Sequence, residues 1–378
     1  MELEQFEVGY NIPAKLGMDI KDIQTPSLII DYDIFADNIL KMKEFVLNNK
    51  VKLRPHAKMH KSVDVANFQL KFGGAHGICC QKVSEAEVFA RNGVKDILIT
   101  NQITDLSKIK RLTKIASNDC NLSCCVDSVE NVTNIQNSAL ENDSIINVYI
   151  EYDCGAKRCG LESFKEIQNL IDLINKLPNI KFNGFQAYNG SMQHIEDFDL
   201  RKIKVKETCR KIKSLKLNFN KYSPVITGVG TGCFDLEVNE NVYDEIQVGS
   251  YAFMDAHYSS LKKDNRLNNT TNFKNSLFIL SGVMSTAIEK QAVVDAGLKS
   301  MSLDSGLPLV SNHDLKYVNC SDEHGIIEDI NNSLKINDKV FLIPGHCDPT
   351  CNLHDWYVVK KDDKVIDLWP VSARGFSY

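Results

Sequence analysis

The stretch Val51-Lys-Leu-Arg-Pro-His-Ala-Lys-Met-His-Lys-Ser62 points to the architecture of the whole chain. Val51, Leu53 and Pro55 occupy alternate positions, which predicts a short buried strand with Lys58 just past its C-terminal end. Nearby positive charges would lower the pKa of the Lys58 amine, as a lysine that forms a Schiff base at neutral pH requires; they come from Arg54, His56, His60 and Lys61. Charge alone favours a solvated basic loop, because lysine and arginine mostly lie at surfaces. The rest of the sequence is therefore needed to choose between a Schiff-base lysine and a solvated basic loop.

Composition and charge limit the classes of protein to be considered. The 378 residues suit two domains or one large barrel with an addition, and 43% hydrophobic with 25% charged residues is typical of globular proteins. The net charge of −5 and the absence of a basic stripe argue against a nucleic-acid partner. Residues 1–8 are acidic without an apolar core, and no apolar run reaches membrane-spanning length, so we expect a soluble cytoplasmic protein. Its 12 cysteines, without any Cys-x-x-Cys, are then expected to be reduced thiols.

Strand-like and helix-like segments alternate through the first two thirds of the chain. Amphipathic helices are predicted at 34–47, 83–92, 106–116, 164–177 and 200–215. About eight β-then-α units result, which is the number in a TIM barrel, (β/α)8. A doubly wound open sheet is the alternative, but no Gly-x-Gly-x-x-Gly follows the first strand. The predicted strands are 27–33, 51–58, 76–82, 96–101, 122–128, 146–153, 182–188 and 223–230.

Polar residues stand at the ends of nearly all these strands. Because active sites of such barrels lie at the carboxyl ends of the strands, a barrel would gather these residues into one ring. For Asn101 and Asp127 taken singly, the ordinary polarity of βα loops is explanation enough. The residues concerned are Lys58, Gln81, Asn101, Asp127, Arg158, Tyr188 and Thr231.

Two glycine-rich turns follow late in the series. They read Gly228-Val-Gly-Thr-Gly232 and Glu245-Ile-Gln-Val-Gly-Ser-Tyr251, and each contains a hydroxyl residue. Backbone amides in such turns bind phosphate, and late βα loops are the usual phosphate site of a barrel. Glycines also simply make turns, so the pattern alone does not decide.

A second domain is predicted after the polar segment 261–275, which has the composition of a linker. Strands are expected at 277–281, 291–295, 339–343, 356–360 and 365–369, the last two joined as a hairpin at 361–364. We therefore predict an N-terminal arm at 1–24 that packs with this domain, a barrel domain at 25–265 and a β-rich domain at 266–378.

A second group of reactive residues lies in Pro344-Gly-His-Cys-Asp-Pro349. His346 and Asp348 are two residues apart, so both would point the same way from an extended strand end. An imidazole and a carboxylate suit a divalent ion such as zinc, manganese or magnesium, and two protein ligands leave open positions as catalytic sites do. A proline-bounded loop with a capping histidine explains this stretch equally well.

Together these motifs resemble the fold-type III pyridoxal-phosphate (PLP) enzymes, whose barrel is that of alanine racemase. The similar branch is the group of D-threonine aldolases and 3-hydroxy-D-aspartate aldolases, which is related to eukaryotic-type D-serine dehydratase. The resemblance covers nearly the whole chain in order. The motifs that carry it are Arg54-Pro-His-Ala-Lys58, Gln186-Ala-Tyr-Asn-Gly-Ser-Met-Gln-His194, Gly228–Gly232, Gln247-Val-Gly-Ser-Tyr251 and His346-Cys-Asp-Pro-Thr350.

The resemblance implies roles for individual residues. Lys58 matches the Schiff-base lysine, and His346 with Asp348 matches the divalent-metal pair. Dehydratase relatives carry His-x-Cys there, so His-x-Asp favours an aldolase, although Asn189 departs from the histidine expected after the tyrosine. The phosphate-binding turns correspond to Thr231, Gly232, Gly249 and Ser250, and the neighbours of the cofactor ring to Gln81, Arg158, Tyr188 and Gln247.

The reaction implied is retro-aldol cleavage of a D-3-hydroxy amino acid to glycine and an aldehyde, in a homodimer. The metal would bind the β-hydroxyl, and His194 is the candidate base. A β-carboxylate on the substrate would need a further cation, for which Arg158 and His354 are candidates. The alternatives are a D-serine or 3-hydroxy-D-aspartate dehydratase and a non-catalytic PLP homeostasis protein, which normally lacks the second domain. An alanine racemase fits less well, because its tyrosine motif is missing.

Overall fold

Strands and helices alternate along the first part of the chain in the computed structural model, which describes residues 5–261, 273–311 and 314–378. Asp31, Asp105 and Ser163 cap helices here, each accepting a hydrogen bond from the backbone N–H three residues on. The strands are β1 (Ser27–Asp31), β2 (Lys52–Leu53), β3 (Ile78–Cys80), β4 (Asp96–Gln102), β5 (Asn121–Val126), β6 (Ile146–Glu151), β7 (Ile180–Ala187), β8 (Val225–Gly228) and β9 (Glu245–Ile246). The helices are α1 (Tyr32–Asn49), α2 (Val63–Phe72), α3 (Val83–Arg91), α4 (Leu106–Ala116), α5 (Val129–Glu141), α6 (Phe164–Ile174), α7 (Phe198–Asn218), α8 (Phe234–Asn239) and α9 (Ala256–Ser260).

Eight parallel strands form the barrel. Their order is β2-β9-β8-β7-β6-β5-β4-β3. Two isolated parallel bridges, Leu53 to Ala75 and His56 to Cys79, join the first strand back to the last and close the ring. The predicted (β/α)8 barrel is therefore confirmed, with the strands buried beneath a ring of helices.

The C-terminal domain is a mixed sheet. All five strands predicted there are present, and three shorter ones were missed: β12 and the β13–β14 pair, in which polar and apolar residues alternate over only a few positions. Residues 262–272 of the predicted linker lie outside the described residues. The elements are β10 (Leu277–Ser285), β11 (Gln291–Val294), β12 (Leu309–Val310), β13 (Lys316–Cys320), β14 (Gly325–Glu328), β15 (Lys339–Ile343), α10 (Cys347–Cys351), β16 (Trp356–Lys361) and β17 (Lys364–Pro370).

Strand β1 belongs to this second sheet and not to the barrel. It pairs antiparallel with β10 and parallel with β16. The eighth barrel strand is β9, in a segment interpreted from the sequence as a glycine-rich turn. The prediction that the strand at 27–33 is the first strand of the barrel was therefore wrong. Strand β1 is a continuous apolar run buried on both faces, as the barrel strands are. Periodicity therefore does not show which of the two sheets it joins.

The N-terminal arm packs against the same sheet. Ile12, Ile20 and Ile23 are buried and form one apolar cluster with Ile29 of β1 and Phe278 of β10. Burial of such side chains contributes about 1.5–3 kcal/mol each. The arm thus covers the face of β1 and β10 that would otherwise be exposed to solvent.

All twelve cysteines are free, and ten of them are buried as small apolar side chains. Among the described residues, no helix combines the length and the apolar character needed to cross a membrane.

Candidate active site

A pocket of about 170 Å³ opens at the carboxyl ends of the barrel strands. Asn101 and Asp127 do not line it: the Asn101 amide donates to the carbonyl of Gln81, and Asp127 accepts from the backbone N–H of Gly160. Asn101 lies near the end of β4 and Asp127 in the loop after β5, and local hydrogen bonds account for both residues. Eight of the predicted site residues line the pocket: Lys58, Gln81, Arg158, Tyr188, Thr231, Gln247, Gly249 and Ser250.

Lys58 lies in a short 3₁₀ turn, Ala57–Met59, directly after the first barrel strand. Its side chain is 43% exposed, and its Nζ donates a hydrogen bond to Oδ1 of Asp348, which comes from the second domain. Burial lowers the pKa of the Lys58 amine, but the Asp348 carboxylate outweighs this effect and raises the pKa to about 12. The expectation that neighbouring cations lower this pKa was therefore wrong for this state of the protein.

Acidic partners neutralise two of the cations that the sequence places around Lys58. Arg54 points into the barrel, where its Nε lies 3.0 Å from Glu245 and its Nη1 contacts Asp96. The Lys61 amine lies 3.4 Å from a Glu85 carboxylate oxygen. Each positive charge thus has its own buried or half-buried counterion, and neither acts on Lys58 as a free charge.

The two histidines of the stretch are neutral. Burial lowers the pKa of His56 to about 3, and burial likewise lowers the pKa of His60 to about 3. The His56 Nε2 lies 2.9 Å from the Thr100 hydroxyl, and its Nδ1 accepts from the backbone N–H of Lys58. His56 therefore supports the turn that carries the lysine instead of supplying charge.

Polar side chains of neighbouring strands form the floor and wall of the pocket. Gln247 donates 2.7 Å hydrogen bonds to Gln186 and to Thr227, so its amide is held in place. Arg158 Nη2 lies 3.5 Å from Glu151 Oε1, and the guanidinium carbon of Arg158 lies 5.9 Å from the centre of the Tyr188 ring. Burial raises the pKa of the Tyr188 hydroxyl, so this group is a neutral donor. The pocket thus offers fixed amides, the guanidinium of Arg158 and the phenols of Tyr188 and Tyr258.

The two glycine-rich turns meet at this pocket through Thr231, Gly249 and Ser250. Gly232 does not line it, because its N–H donates to the Gln193 side-chain oxygen at 3.0 Å. A Cβ at Gly232 would lie 2.0 Å from the backbone oxygen of Gln193, so close packing already accounts for the glycine. The predicted phosphate contact of Gly232 consequently has no support in this geometry.

Behind this turn lies a buried carboxyl group, Glu237, which accepts from Gln193 at 3.2 Å and from Tyr243 at 3.1 Å. Burial raises its pKa to about 8, although both hydrogen bonds act in the opposite direction. The folded protein therefore keeps Glu237 protonated at neutral pH, whereas the unfolded chain ionises it above about pH 4.3.

We expect wild-type stability to fall between about pH 4.5 and the folded pKa of about 8, because only the unfolded state loses its proton there. Each pKa unit corresponds to about 1.4 kcal/mol. Glu237→Gln removes this titration, so the Tm of the variant should rise relative to wild type between pH 5 and pH 9. Thermal scans of both proteins across that range measure the difference, and parallel Tm curves would contradict the expectation.

The predicted metal pair lies beside one of the glycine-rich turns, because the Ser250 hydroxyl donates to Asp348 Oδ2 at 3.5 Å, but neither His346 nor Asp348 lines the pocket itself. His346 is the N-cap of α10 and Asp348 is in the first turn of that helix, so the expected extended conformation was wrong. Their facing atoms, His346 Nε2 and Asp348 Oδ2, are nevertheless 3.9 Å apart. Burial raises the pKa of Asp348, but Lys58 lowers it more strongly, to about 2. No further His, Cys, Asp or Glu of the described ranges completes a three-residue cluster with them.

Sequence reasoning missed Asp304, which contacts His346 from a loop of the second domain. Its Oδ2 lies 2.7 Å from His346 Nδ1. The two residues are 42 positions apart in sequence, and no motif surrounds Asp304 that could have indicated this contact.

His194 is not among the residues that line the pocket and lies beside α9. Its ring stacks on His257 with centroids 4.3 Å apart and lies 5.1 Å from the Tyr258 ring. Burial is the largest cause that lowers the pKa of His194, and the charge of His257 is the second; together they bring it to about 4. The imidazole is therefore neutral and able to accept a proton. His257 and Tyr258 were not expected from the sequence.

Of the two cations considered for a substrate carboxylate, only Arg158 lines the pocket. The His354 Nε2 lies 2.7 Å from the carbonyl of Ser300, and burial lowers the pKa of its ring. A neutral, half-buried histidine outside the pocket cannot serve as the anion-binding group.

Comparisons with known proteins agree with this geometry. Residues 30–257 match the family described as alanine racemase, N-terminal domain, and residues 276–360 match the putative serine dehydratase domain. A 3-hydroxy-D-aspartate aldolase of Paracoccus denitrificans (strain Pd 1222) is 46% identical, over 99% of this chain and 98% of its own. A D-threonine aldolase of Arthrobacter sp. is 37% identical, over 97% and 96%. The chain belongs to the D-threonine aldolase and 3-hydroxy-D-aspartate aldolase family.

Solved structures place the chain in the same PLP-dependent aldolase family. The crystal structure of D-threonine aldolase from Filomicrobium marinum superposes with a TM-score of 0.93 at 33% identity, covering 97% of this chain and 100% of that one. Dehydratases are more distant: the D-serine dehydratase of Dictyostelium discoideum is 24% identical over 92% of this chain and 96% of its own. The aldolase branch predicted from the sequence is thereby confirmed.

Proposed function

We propose that this protein uses PLP and a divalent metal to cleave D-threonine or 3-hydroxy-D-aspartate into glycine and an aldehyde. The observation that carries the proposal is the contact between Lys58 and Asp348. This contact joins the Lys58 amine of the barrel to a carboxylate of the second domain, which supports a site where the proposed Schiff-base lysine and the proposed metal pair act on Cα and Cβ of one substrate. The relatives of this chain named above as aldolases support the reaction class.

The residues of the pocket suit PLP. Lys58 would hold the cofactor covalently, while the hydroxyls of Thr231 and Ser250 and the glycine-rich backbone beside them suit its phosphate. When bound, PLP acts as a sink for the electron pair that is left at the substrate Cα. Gln81, Arg158, Tyr188 and Gln247 would surround the ring.

The metal pair suits a divalent ion of the hard or borderline class. His346 and Asp348 offer one imidazole nitrogen and carboxylate oxygens, a set that manganese, magnesium and zinc all accept. Such an ion would act as a Lewis acid on the substrate β-hydroxyl. We propose manganese as the metal used.

The chain's own residues then have defined tasks. His194 is neutral near pH 7 and accepts the β-hydroxyl proton while the Cα–Cβ bond breaks, and the β-carbon leaves as an aldehyde. The stacked His257 ring limits rotation of His194. Arg158 is the cation of the pocket that could meet a β-carboxylate of the substrate. A proton delivered to Cα completes glycine.

Replacing His194 tests the base. We expect His194→Gln to lower kcat by about 10²–10⁴-fold, because a positioned general base contributes that much, while the amide keeps a similar shape. The absorbance of bound PLP and the thermal stability should not change. His324→Gln is a matched control, because His324 lies in the exposed turn before β14. Equal turnover of the His194 variant and wild type would rule out this role.

Product analysis tests the proposal as a whole. Purified protein with PLP and manganese is incubated with D-threonine and with 3-hydroxy-D-aspartate. Glycine with acetaldehyde or glyoxylate is the expected result. Keto acid and ammonia would instead establish the dehydratase alternative, in which the same hydroxyl leaves as water. No turnover by a PLP-loaded protein would favour a non-catalytic PLP homeostasis protein.

Assembly and location complete the proposal. We propose a cytoplasmic homodimer, supported by the resemblance to fold-type III enzymes. Light scattering during size-exclusion chromatography measures the mass of the assembly directly against the 42.6 kDa of one chain.

A further inference from the structure

We propose that Asp304 is a positioning residue that fixes the His346 ring for metal binding. This inference rests on the metal site of the proposed function. It adds a residue that belongs neither to the metal pair nor to any motif in the sequence.

The two nitrogens of His346 have different surroundings. Nδ1 lies 2.7 Å from Asp304 Oδ2, whereas Nε2 faces Asp348 at 3.9 Å. A carboxylate only accepts hydrogen bonds, so Asp304 selects the tautomer that carries its proton on Nδ1. The lone pair is then on Nε2, toward Asp348, where an ion between the two side chains would bind it. Histidines that bind metals in proteins are commonly held in this way.

Asp304 is itself fixed. It accepts hydrogen bonds from Ser302 Oγ at 2.7 Å and from Ser305 Oγ at 3.2 Å. The Thr350 hydroxyl joins this loop to α10, because it accepts from the Ser302 N–H at 3.1 Å and donates to the His346 carbonyl at 2.7 Å. The loop and the histidine thus form one hydrogen-bonded unit.

Asp304 is not a third ligand of the pair. Its carboxylate is on the Nδ1 side of His346, away from Asp348, and the described part of the chain contains no three-residue cluster able to hold a metal. Its side chain is 50% exposed, so removing it leaves no buried charge behind. The residue can therefore be replaced with little cost in folding, which makes its effect on the metal measurable.

The test is manganese affinity of the PLP-loaded protein, followed by the electron paramagnetic resonance signal of free Mn²⁺. We expect Asp304→Ala to weaken binding by about 10–100-fold, as loss of a hydrogen-bond partner behind a metal ligand typically does. Asp304→Asn should lose less, because its amide oxygen still accepts from Nδ1. The PLP absorbance should be the same in all proteins. Asp322→Ala, which removes an exposed carboxylate of the same domain, is the control and should bind as wild type does.

His346→Ala separates the failure of this inference from that of the proposed metal site. If His346→Ala loses manganese while Asp304→Ala binds it as wild type does, the positioning role is wrong and the metal site stands. If wild type and His346→Ala bind manganese equally, the metal site itself is wrong, and the role of Asp304 falls with it. Weaker binding in Asp304→Ala, partly restored in Asp304→Asn, supports the role.

Discussion

Lys58→Ala is expected to abolish the near-ultraviolet and visible absorbance of bound PLP and to lower cleavage activity by more than about 10³-fold. The variant lacks the only amine that lines the pocket formed by the described residues. Without it the cofactor has no covalent attachment, and the proton transfers that the amine could assist are lost as well. Absorbance spectra of the reconstituted variant and a glycine assay measure the two effects separately.

A second substitution at the same position separates chemistry from charge. Lys58→Arg keeps a cation beside Asp348, but a guanidinium stays protonated and cannot form a Schiff base. Lys58→Arg should therefore retain a thermal stability close to that of wild type, but show neither the absorbance of bound PLP nor cleavage activity. Lys58→Ala, in contrast, leaves the Asp348 carboxylate, only 15% exposed, without its partner and should lower the Tm. A normal PLP spectrum in either variant would contradict the assignment of Lys58.

Removal of the metal is expected to have the second large effect. Dialysis against a chelator should reduce cleavage by more than about 10²-fold, since the Lewis acid that stabilises the developing alkoxide is worth several kcal/mol. Added manganese should restore wild type but not Asp348→Asn, whose amide is a poorer ligand than a carboxylate. The measurement is glycine release against manganese concentration.

The PLP absorbance serves as the internal check of this experiment, because the cofactor should stay bound when the metal is removed. Asp355→Asn is the matched control: Asp355 lies seven residues after Asp348, is 71% exposed and pairs with Arg374. It should respond to manganese as wild type does. Full activity after exhaustive chelation, in the presence of PLP, would show that the reaction needs no metal.

The barrel was predictable because its evidence is local. Apolar runs of strand length alternate with amphipathic helices, and each can be recognised without its neighbours. Membership of a sheet is not local: β1 was assigned to the barrel and β9 was interpreted as a turn, since pairing with β10 or with β8 depends on the path of the whole chain. A two-residue strand such as β9 also has no periodicity to detect.

The site was partly predictable for a related reason. Residues that follow parallel strands must meet at one end of a barrel, so Lys58 and Tyr188 were placed together by topology alone. The charge state of Lys58 was not predictable, because its counterion Asp348 lies 290 residues away. A separation of 42 residues likewise conceals the contact of Asp304 with His346. Local motifs identify which groups are present, whereas their partners require the fold.

Strand β1 has a consequence for recombining relatives of this enzyme. It lies between β10 and β16, so the second sheet is assembled from both ends of the chain. A chimera made with a single crossover after the barrel would take β10 to β17 from one parent and β1 from the other. The middle strand of the second sheet would then come from a different protein than its neighbours. An exchange that keeps this sheet intact needs two junctions, one before Tyr32 and one after Leu261. Substrate preference should be transferable between relatives only with both segments together.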